Sequence, residues 1–210
     1  AGPEYDDVDF ITFSPDGQHM AYTAKKNGKY VLVADGQEVS SSYDAIKNII
    51  YSADGKSLAF GAFKDGRQLV VLNGKEGPAF HGIGEGTLHF RPDGTLDYGA
   101  TDNGKWFMMV NGQPWAAYDA LGSEAYSADG QHVGYSATRG NSEYAVLDGK
   151  ESRPYDVVSN IAISPDGKRF GYNAQMGHKY FVVVDGQVGP DFDSLNVDSP
   201  TFSADGKRVV

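Results

Sequence analysis

The chain of 210 residues contains no cysteine, which excludes disulfide bonds and thiolate metal sites. Basic side chains are scarce: 18 Lys and Arg stand against 28 Asp and Glu, giving a formal net charge of −10. Because an acidic surface repels phosphate backbones, we expect no nucleic-acid partner. No apolar run approaches the roughly 18 residues of a membrane-spanning helix, and no signal peptide is visible. We therefore expect no membrane span.

Helical periodicity is also missing, since no stretch keeps a 3.6-residue apolar pattern over the roughly ten residues that a helix needs. Instead, a four-residue turn signature of the form Ser/Arg-Pro/Ala-Asp-Gly recurs six times. It begins at Ser14, Ser52, Arg91, Ser127, Ser164 and Ser203, at intervals of 38, 39, 36, 37 and 39 residues. Such regular spacing identifies each interval as one supersecondary unit.

Other signals hold the same positions in each unit. An apolar stretch ending in aromatic-x-Ala follows the signature, then a turn with glycine, a β-branched run and a second Asn-Gly or Asp-Gly turn. Asn-Gly and Asp-Gly suit two-residue hairpins, in which both central residues need positive φ. Each unit therefore reads as four short antiparallel strands, and we predict an all-β fold, a six-bladed β-propeller with four-stranded blades.

The S-[PA]-D-G turn, followed by a strand ending aromatic-x-Ala, resembles the WD-like propeller repeat of the TolB type. Similar repeats form the propeller domains of prolyl-oligopeptidase-type peptidases. The resemblance covers essentially the whole chain as a propeller only, and it departs from true WD repeats because no Gly-His…Trp-Asp pair is present. It implies the fold and a bacterial periplasmic or extracellular location, but little chemistry.

We predict one domain over residues 1–210, with complete blades at about 8–46, 47–84, 85–121, 122–158 and 159–195. A sixth, partial blade would combine residues 196–210 with 1–7, and alignment on the fifth blade leaves 16 of its residues unaccounted for. One explanation is a parent chain that continues past one terminus. The other is a strand supplied by a neighbouring molecule through β-strand addition.

Two repeated sets of aspartates are the conspicuous polar groups. We assign the signature aspartates to the turns themselves, because Asp accepts local backbone N–H bonds and Gly supplies positive φ. A second set follows the closing aromatic of each blade and is expected to anchor the link between blades: Asp6, Asp44, Asp119, Asp156 and Asp193, with His81 in their place once. No nucleophile elbow, phosphate loop or metal-ligand motif is present. We expect no catalytic residue, no metal and no cofactor.

The junction between the second and third blades is the least regular part of the repeat. His81 and His89 flank a glycine-rich link that contains Glu85, and Arg91 replaces the usual Ser. Function is often grafted where a repeat becomes irregular. We therefore mark His81, Glu85, His89 and Arg91 as a candidate site.

The third blade also concentrates large apolar side chains. Trp106, Met108, Pro114 and Trp115 lie around the Asn111-Gly112 hairpin. If they are exposed, they form a patch for a partner, and if they are buried, they form a bulkier core layer.

The leading functional prediction is a non-catalytic scaffold that binds a protein or peptide partner. One alternative is the propeller domain of a larger enzyme, such as a domain that gates a peptidase. A second is a self-assembling subunit whose incomplete blade is completed by a neighbouring molecule.

Overall fold

The computed structural model describes residues 4–195 and 200–209, which form 21 β-strands and no helix. The strands build five antiparallel sheets, as the repeat predicts. The first sheet contains β1 (Asp7–Phe13), β2 (Met20–Lys26), β3 (Lys29–Ala34) and β4 (Gln37–Glu38); the second contains β5 (Ala45–Tyr51), β6 (Leu58–Lys64), β7 (Arg67–Leu72) and β8 (Lys75–Phe80).

The third sheet contains β9 (Gly82–Ile83), β10 (His89–Phe90), β11 (Leu96–Asp102), β12 (Lys105–Val110) and β13 (Gln113–Pro114). The fourth contains β14 (Ala120–Tyr126), β15 (Val133–Arg139), β16 (Ser142–Leu147) and β17 (Lys150–Glu151). The fifth contains β18 (Val157–Ile163), β19 (Phe170–Met176), β20 (Lys179–Val184) and β21 (Gln187–Phe192).

The chain divides into two compact units. Unit 1 comprises Ala1–Gly104 and Met108–Pro114, and unit 2 comprises Lys105–Phe107 and Trp115–Val210. In each unit, apolar side chains of neighbouring sheets pack together. In unit 1, Leu32, Tyr43 and Phe60 are fully buried in one cluster, and in unit 2 Tyr155 and Tyr172 share another. The repeated aromatics therefore form the predicted core layers.

The Asn-Gly and Asp-Gly pairs form the predicted tight hairpins. At Asp35-Gly36 both residues have positive φ, 48° and 79°, and Asn73-Gly74 has 49° and 77°. This is the backbone of a type I′ turn, whose twist matches that of the flanking strands. The Asp or Asn side chain adds a second function, because Asp35 Oδ1 accepts a hydrogen bond from the Met20 amide at the start of β2.

The signature turns use their Ser and Asp side chains locally. Ser52 Oγ donates to Asp54 Oδ1 at 2.7 Å, and the same oxygen accepts the Lys56 amide at 3.1 Å. Equivalent bonds join Ser14 with Asp16 and Ser164 with Asp166. These carboxylates are engaged by the turn that carries them, in agreement with the structural assignment above.

The third sheet departs from the others at its first strand. Here β9 and β10 are two short pieces that both pair with β11, separated by the loop at residues 84–88. Two extra residues in this segment interrupt a strand that is continuous, with one bulge, in β5 and β18.

Residues 200–209 of unit 2 carry the last signature turn, in which Ser203 Oγ donates to Asp205 Oδ1. Phe202 pairs with Val209 across the last signature turn, and Arg169 donates to the Lys207 carbonyl at 3.0 Å. Residues 1–3, 196–199 and 210 of the predicted partial blade lie outside the described residues. The count of six blades and the single-domain organisation stay predictions.

Candidate functional site

Two of the aspartates that follow the closing aromatics, Asp44 and Asp119, tie consecutive sheets together. In unit 1, Asp44 lies after the first sheet, where Lys29 donates to its Oδ1, and its Oδ2 accepts the Asp65 amide of the β6–β7 hairpin at 3.2 Å. In unit 2, Asp119 makes the same pair of contacts with Lys105 and with the Gly140 amide. These bonds lower the pKa of both carboxyl groups. The geometry supports the expected anchoring role for these two aspartates.

His81 replaces the aspartate at the junction of the second and third sheets, and its partners change with it. Its ring contacts the Asp102 carboxylate, and Arg67 Nη1 lies 3.1 Å from the ring and 3.4 Å from Asp102 Oδ1. The contact between the two sheets is thus retained with different side chains: a histidine lies between an arginine of the second sheet and an aspartate of the third.

Arg91 belongs to a different group at the other end of β11. Its Nε donates at 2.8 Å to Oδ2 of Asp97, which is fully buried. Burial raises the pKa of Asp97 and lowers that of His89, which pairs with Asp97 across the strands.

The four junction residues therefore do not form one site. Gly82, next to His81, pairs with Thr101, whereas His89 pairs with Asp97, four residues or about 13 Å further along β11. Glu85 is exposed in the intervening loop. Among the described residues, no group of three or more His, Cys, Asp or Glu could hold a metal ion.

The four large side chains of the third blade also differ in environment. Met108 is only 1% exposed, so it belongs to the core layer and not to a surface patch, whereas Pro114 is exposed. Trp106 and Trp115 are half-buried. Trp115 lies in unit 2 with its ring stacked on Tyr135, centroids 6.4 Å apart and planes at 26°.

Unit 1 contains a cleft of about 480 Å³ between the second and third sheets, referred to below as the outer cleft. Its apolar wall comes from Val70, Leu72, Leu96 and Tyr98. Its rim comes from Lys75, Glu76, Gly77, Pro78, Gly94, Thr95, Asn111 and Gly112. A volume in this range, apolar walls and few polar groups are typical of ligand sites in proteins.

The repeat shows why the cleft is open at this position. Between the first and second sheets the equivalent cavity holds only about 220 Å³, and Val39 stands where Gly77 does in the outer cleft. In the next repeat along the chain, in unit 2, the same position is Trp115. Glycine at residue 77 therefore leaves space that valine or tryptophan occupies in the neighbouring repeats.

Tyr98 contributes a phenol hydroxyl to the otherwise apolar wall of the cleft. Only 5% of the residue is exposed, and burial raises the pKa of its phenol to about 12. Its ring packs edge-on against Phe80, and its hydroxyl lies 4.0 Å from where a Cβ on Gly77 would stand. Sequence reasoning missed Gly77, Tyr98 and Asn111. The only signal was Gly77-Pro78 at a position where the first and third repeats carry Val39 and Trp115, and the fifth repeat shares it as Gly189-Pro190.

Five sheets of antiparallel strands in a repeat of about 38 residues define the class of protein as β-propeller. The β-propeller domain of the Trilobed protease from Pyrococcus furiosus supports this class: it is 14% identical, with a TM-score of 0.50, over 88% of this chain and 71% of that one. The likeness shows the fold.

Two further structures are similar at lower TM-scores. TolB from Acinetobacter baumannii is 20% identical with a TM-score of 0.43, over 96% of this chain, which spans 56% of that chain. An acylaminoacyl peptidase from Pyrococcus horikoshii is 14% identical with a TM-score of 0.45, over 89% of this chain and 40% of that one. No family model and no curated protein matches the sequence. The described part of the chain has no helix suited to crossing a membrane.

Proposed function

We propose that the chain is a non-catalytic propeller scaffold that binds a protein or peptide partner in the outer cleft. The observation that carries the proposal is the cleft itself, about 480 Å³ with apolar walls, in a repeat whose preceding cavity is less than half that size. The polar rim formed by Lys75, Glu76 and Asn111 supplies the few hydrogen-bonding groups that would orient a peptide.

The use of the acidic side chains supports a non-catalytic role. Asp44 and Asp119 are bonded to backbone amides and lysines, and the signature aspartates to their own turns. The buried carboxylate of Asp97 is bonded to Arg91, and Asp97 is not among the residues that line the outer cleft. A periplasmic or extracellular location in a bacterium accords with the TolB-type repeat and the lack of cysteine, and cell fractionation would test it.

Selection from a random peptide library tests the proposal. We expect peptides selected on the native protein to bind the Gly77→Val variant at least tenfold more weakly. The reason is that a valine at the equivalent position, Val39, lines the smaller cavity between the first and second sheets. The outcome that contradicts the proposal is an absence of selected peptides, or peptides that bind the native protein and a folded Gly77→Val variant equally.

Strand β1 supports a second candidate, self-assembly. Val8 is 47% exposed, although its equivalent Ile46 in β5 is 5% exposed, and Phe10, Ile11 and Phe13 are each at least 60% exposed. Several exposed apolar side chains on one strand, here called the apolar strip of β1, are typical of an interaction surface. The alternative of a peptidase-gating domain would be favoured by a reading frame that continues past Val210 into a hydrolase-like region.

A further inference from the structure

In unit 2, the side chain of Trp115 occupies the position that corresponds to the outer cleft of unit 1. In unit 2 its indole covers Tyr135 and lies 3.4 Å from where a Cβ on Gly149 would stand. In unit 1 the equivalents of Tyr135 and Gly149 are Tyr98 and Gly112, and both line the outer cleft. We infer that the outer cleft accepts an aromatic side chain of a partner peptide, placed on Tyr98 and the Asn111-Gly112 hairpin. This inference rests on the proposed function and names its ligand.

The space beside the two hairpin glycines supports the correspondence. A Cβ built on Gly149 meets the Trp115 ring, whereas one built on Gly112 meets no heavy atom within 4 Å. Between the first and second sheets, a Cβ on the equivalent Gly74 meets the Val39 carbonyl oxygen at 3.1 Å. This hairpin glycine is thus contacted between the first and second sheets and beside Trp115, and it is open at the outer cleft, as is the equivalent Gly186 of the fifth sheet.

The Tyr98 side chain in the wall of the outer cleft favours an aromatic ligand over an aliphatic one. The face of a tyrosine ring stacks with another ring, and such pairs contribute about 0.5–1.5 kcal/mol beyond the area that they bury. Within the described residues, the Tyr98 hydroxyl makes no hydrogen bond. It is therefore placed to bond the N–H of an indole, the hydroxyl of a phenol or a peptide backbone group.

The adjoining strand provides room for the peptide that would carry the ring. Gly77 lacks the side chain that Val39 and Trp115 place at this position in the first and third repeats, so a bound ring can approach the backbone of β8. Strand β8 has six residues, as β21 does, against two in β4, β13 and β17, and Gly77 and Pro78 are exposed. The ligand would enter from this exposed side, beside Lys75 and Glu76.

Titration with N-acetyl-tryptophanamide, monitored by amide NMR shifts, tests the inference, with N-acetyl-leucinamide as the ligand control. We expect saturable shifts at Thr95 and Gly112 with the tryptophan probe, and at least tenfold weaker binding of the leucine probe. Gly77→Val should reduce binding at least tenfold, and Tyr98→Phe severalfold through loss of the hydroxyl. The Cβ of Gly77→Val would lie 3.0 Å from the Val70 carbonyl oxygen, which is close enough to destabilise the fold. If that variant unfolds, Tyr98→Phe still tests the inference.

Trp115→Ala supplies the reciprocal test. Removing this indole should open the equivalent cavity over Tyr135, so the variant should bind a second equivalent of the tryptophan probe with shifts at Gly149. The inference is overturned if the native protein shows no saturable shift at Gly112, or if the two probes bind equally well. Library peptides that depend on Gly77 yet lack an aromatic residue would overturn this inference and leave the proposed function standing. No cleft-dependent peptide at all would contradict both.

Discussion

At the scale of single residues, Arg91 and Asp97 are the clearest departure from the repeat. In the second sheet their positions are Ser52 and Ala59, which bury no charge, whereas the third sheet buries a carboxylate against a guanidinium. A buried pair of this kind contributes little net stability, but removing one partner leaves an uncompensated charge.

We predict that Arg91→Ser destabilises the protein by about 3–5 kcal/mol, because Asp97 remains buried without its cation. The double variant Arg91→Ser/Asp97→Ala restores the residues of the second sheet and should recover most of that loss. Urea unfolding of the three proteins measures both changes. A double variant no more stable than Arg91→Ser would contradict the explanation.

The pH dependence of the same variant provides a second prediction. Burial raises the pKa of Asp97, and Arg91 counters part of that rise. In Arg91→Ser, the Asp97 carboxylate therefore binds a proton more readily in the folded state than in the unfolded state. The variant is thus stabilised, relative to the native protein, as the pH falls. We expect the deficit of Arg91→Ser in urea to be largest at pH 7 and smaller at about pH 4.5, above the ordinary Asp pKa of about 3.9. If the loss of stability in Arg91→Ser does not change with pH, the buried charge of Asp97 is not its cause.

At the scale of elements, the Asp44 anchor joins the end of one sheet to a hairpin of the next. Lys29 and the Asp65 amide lower the pKa of Asp44, so the folded state favours the carboxylate. This stabilisation is present above the pKa of the unfolded chain and is lost as pH falls through the lowered pKa of the folded one.

Asp44→Asn should therefore lower the thermal midpoint at pH 7, and the difference from the native protein should narrow below about pH 4. Asp9→Asn is the matched control, because no hydrogen bond of the Asp9 carboxylate is present among the described contacts and its side chain is exposed. Scanning calorimetry at the two pH values measures the effect. Equal midpoints for Asp44→Asn and Asp9→Asn would argue against an anchoring role.

Two hairpin glycines test how backbone conformation and packing combine. Gly74 and Gly112 have φ of 77° and 72°. Alanine at either position would have to adopt this left-handed conformation, which costs a residue with a Cβ about 1–2 kcal/mol. At Gly74 the new Cβ also meets the Val39 carbonyl oxygen at 3.1 Å, whereas Gly112 faces the open cleft. We predict that Gly74→Ala lowers the free energy of unfolding more than Gly112→Ala does, which urea unfolding would measure. Equal losses would mean that the first cavity relaxes around the added methyl group.

These same elements show what the sequence could and could not predict. Asn-Gly and Asp-Gly predicted the hairpins correctly because their conformation depends on local sterics alone. The outer cleft was missed because it depends on the side chain absent at Gly77 and on a Tyr98 contributed by the following sheet. The junction histidines were grouped by proximity in sequence, yet pairing along β11 separates them, since register is set by strands that are distant in the chain.

At the scale of the whole molecule, a net charge of −10 and an apolar strip on β1 act in opposite directions. Burying Phe10, Ile11 and Phe13 against a second copy removes apolar surface from water, which favours association. The acidic charge on both copies opposes it, and this repulsion is screened as ionic strength rises.

We therefore predict that any self-association through β1 depends on concentration and is stronger at 0.5 M than at 0.05 M salt, because the Debye length shortens severalfold. Light scattering after size exclusion measures the mass at each condition. Ile11→Ser/Phe13→Ser should remain monomeric at both, whereas Phe63→Ser, which removes an exposed phenylalanine from β6, should behave as the native protein does. A native protein that is monomeric at high concentration and high salt would exclude β1 as an assembly surface and leave the outer cleft as the binding site to pursue.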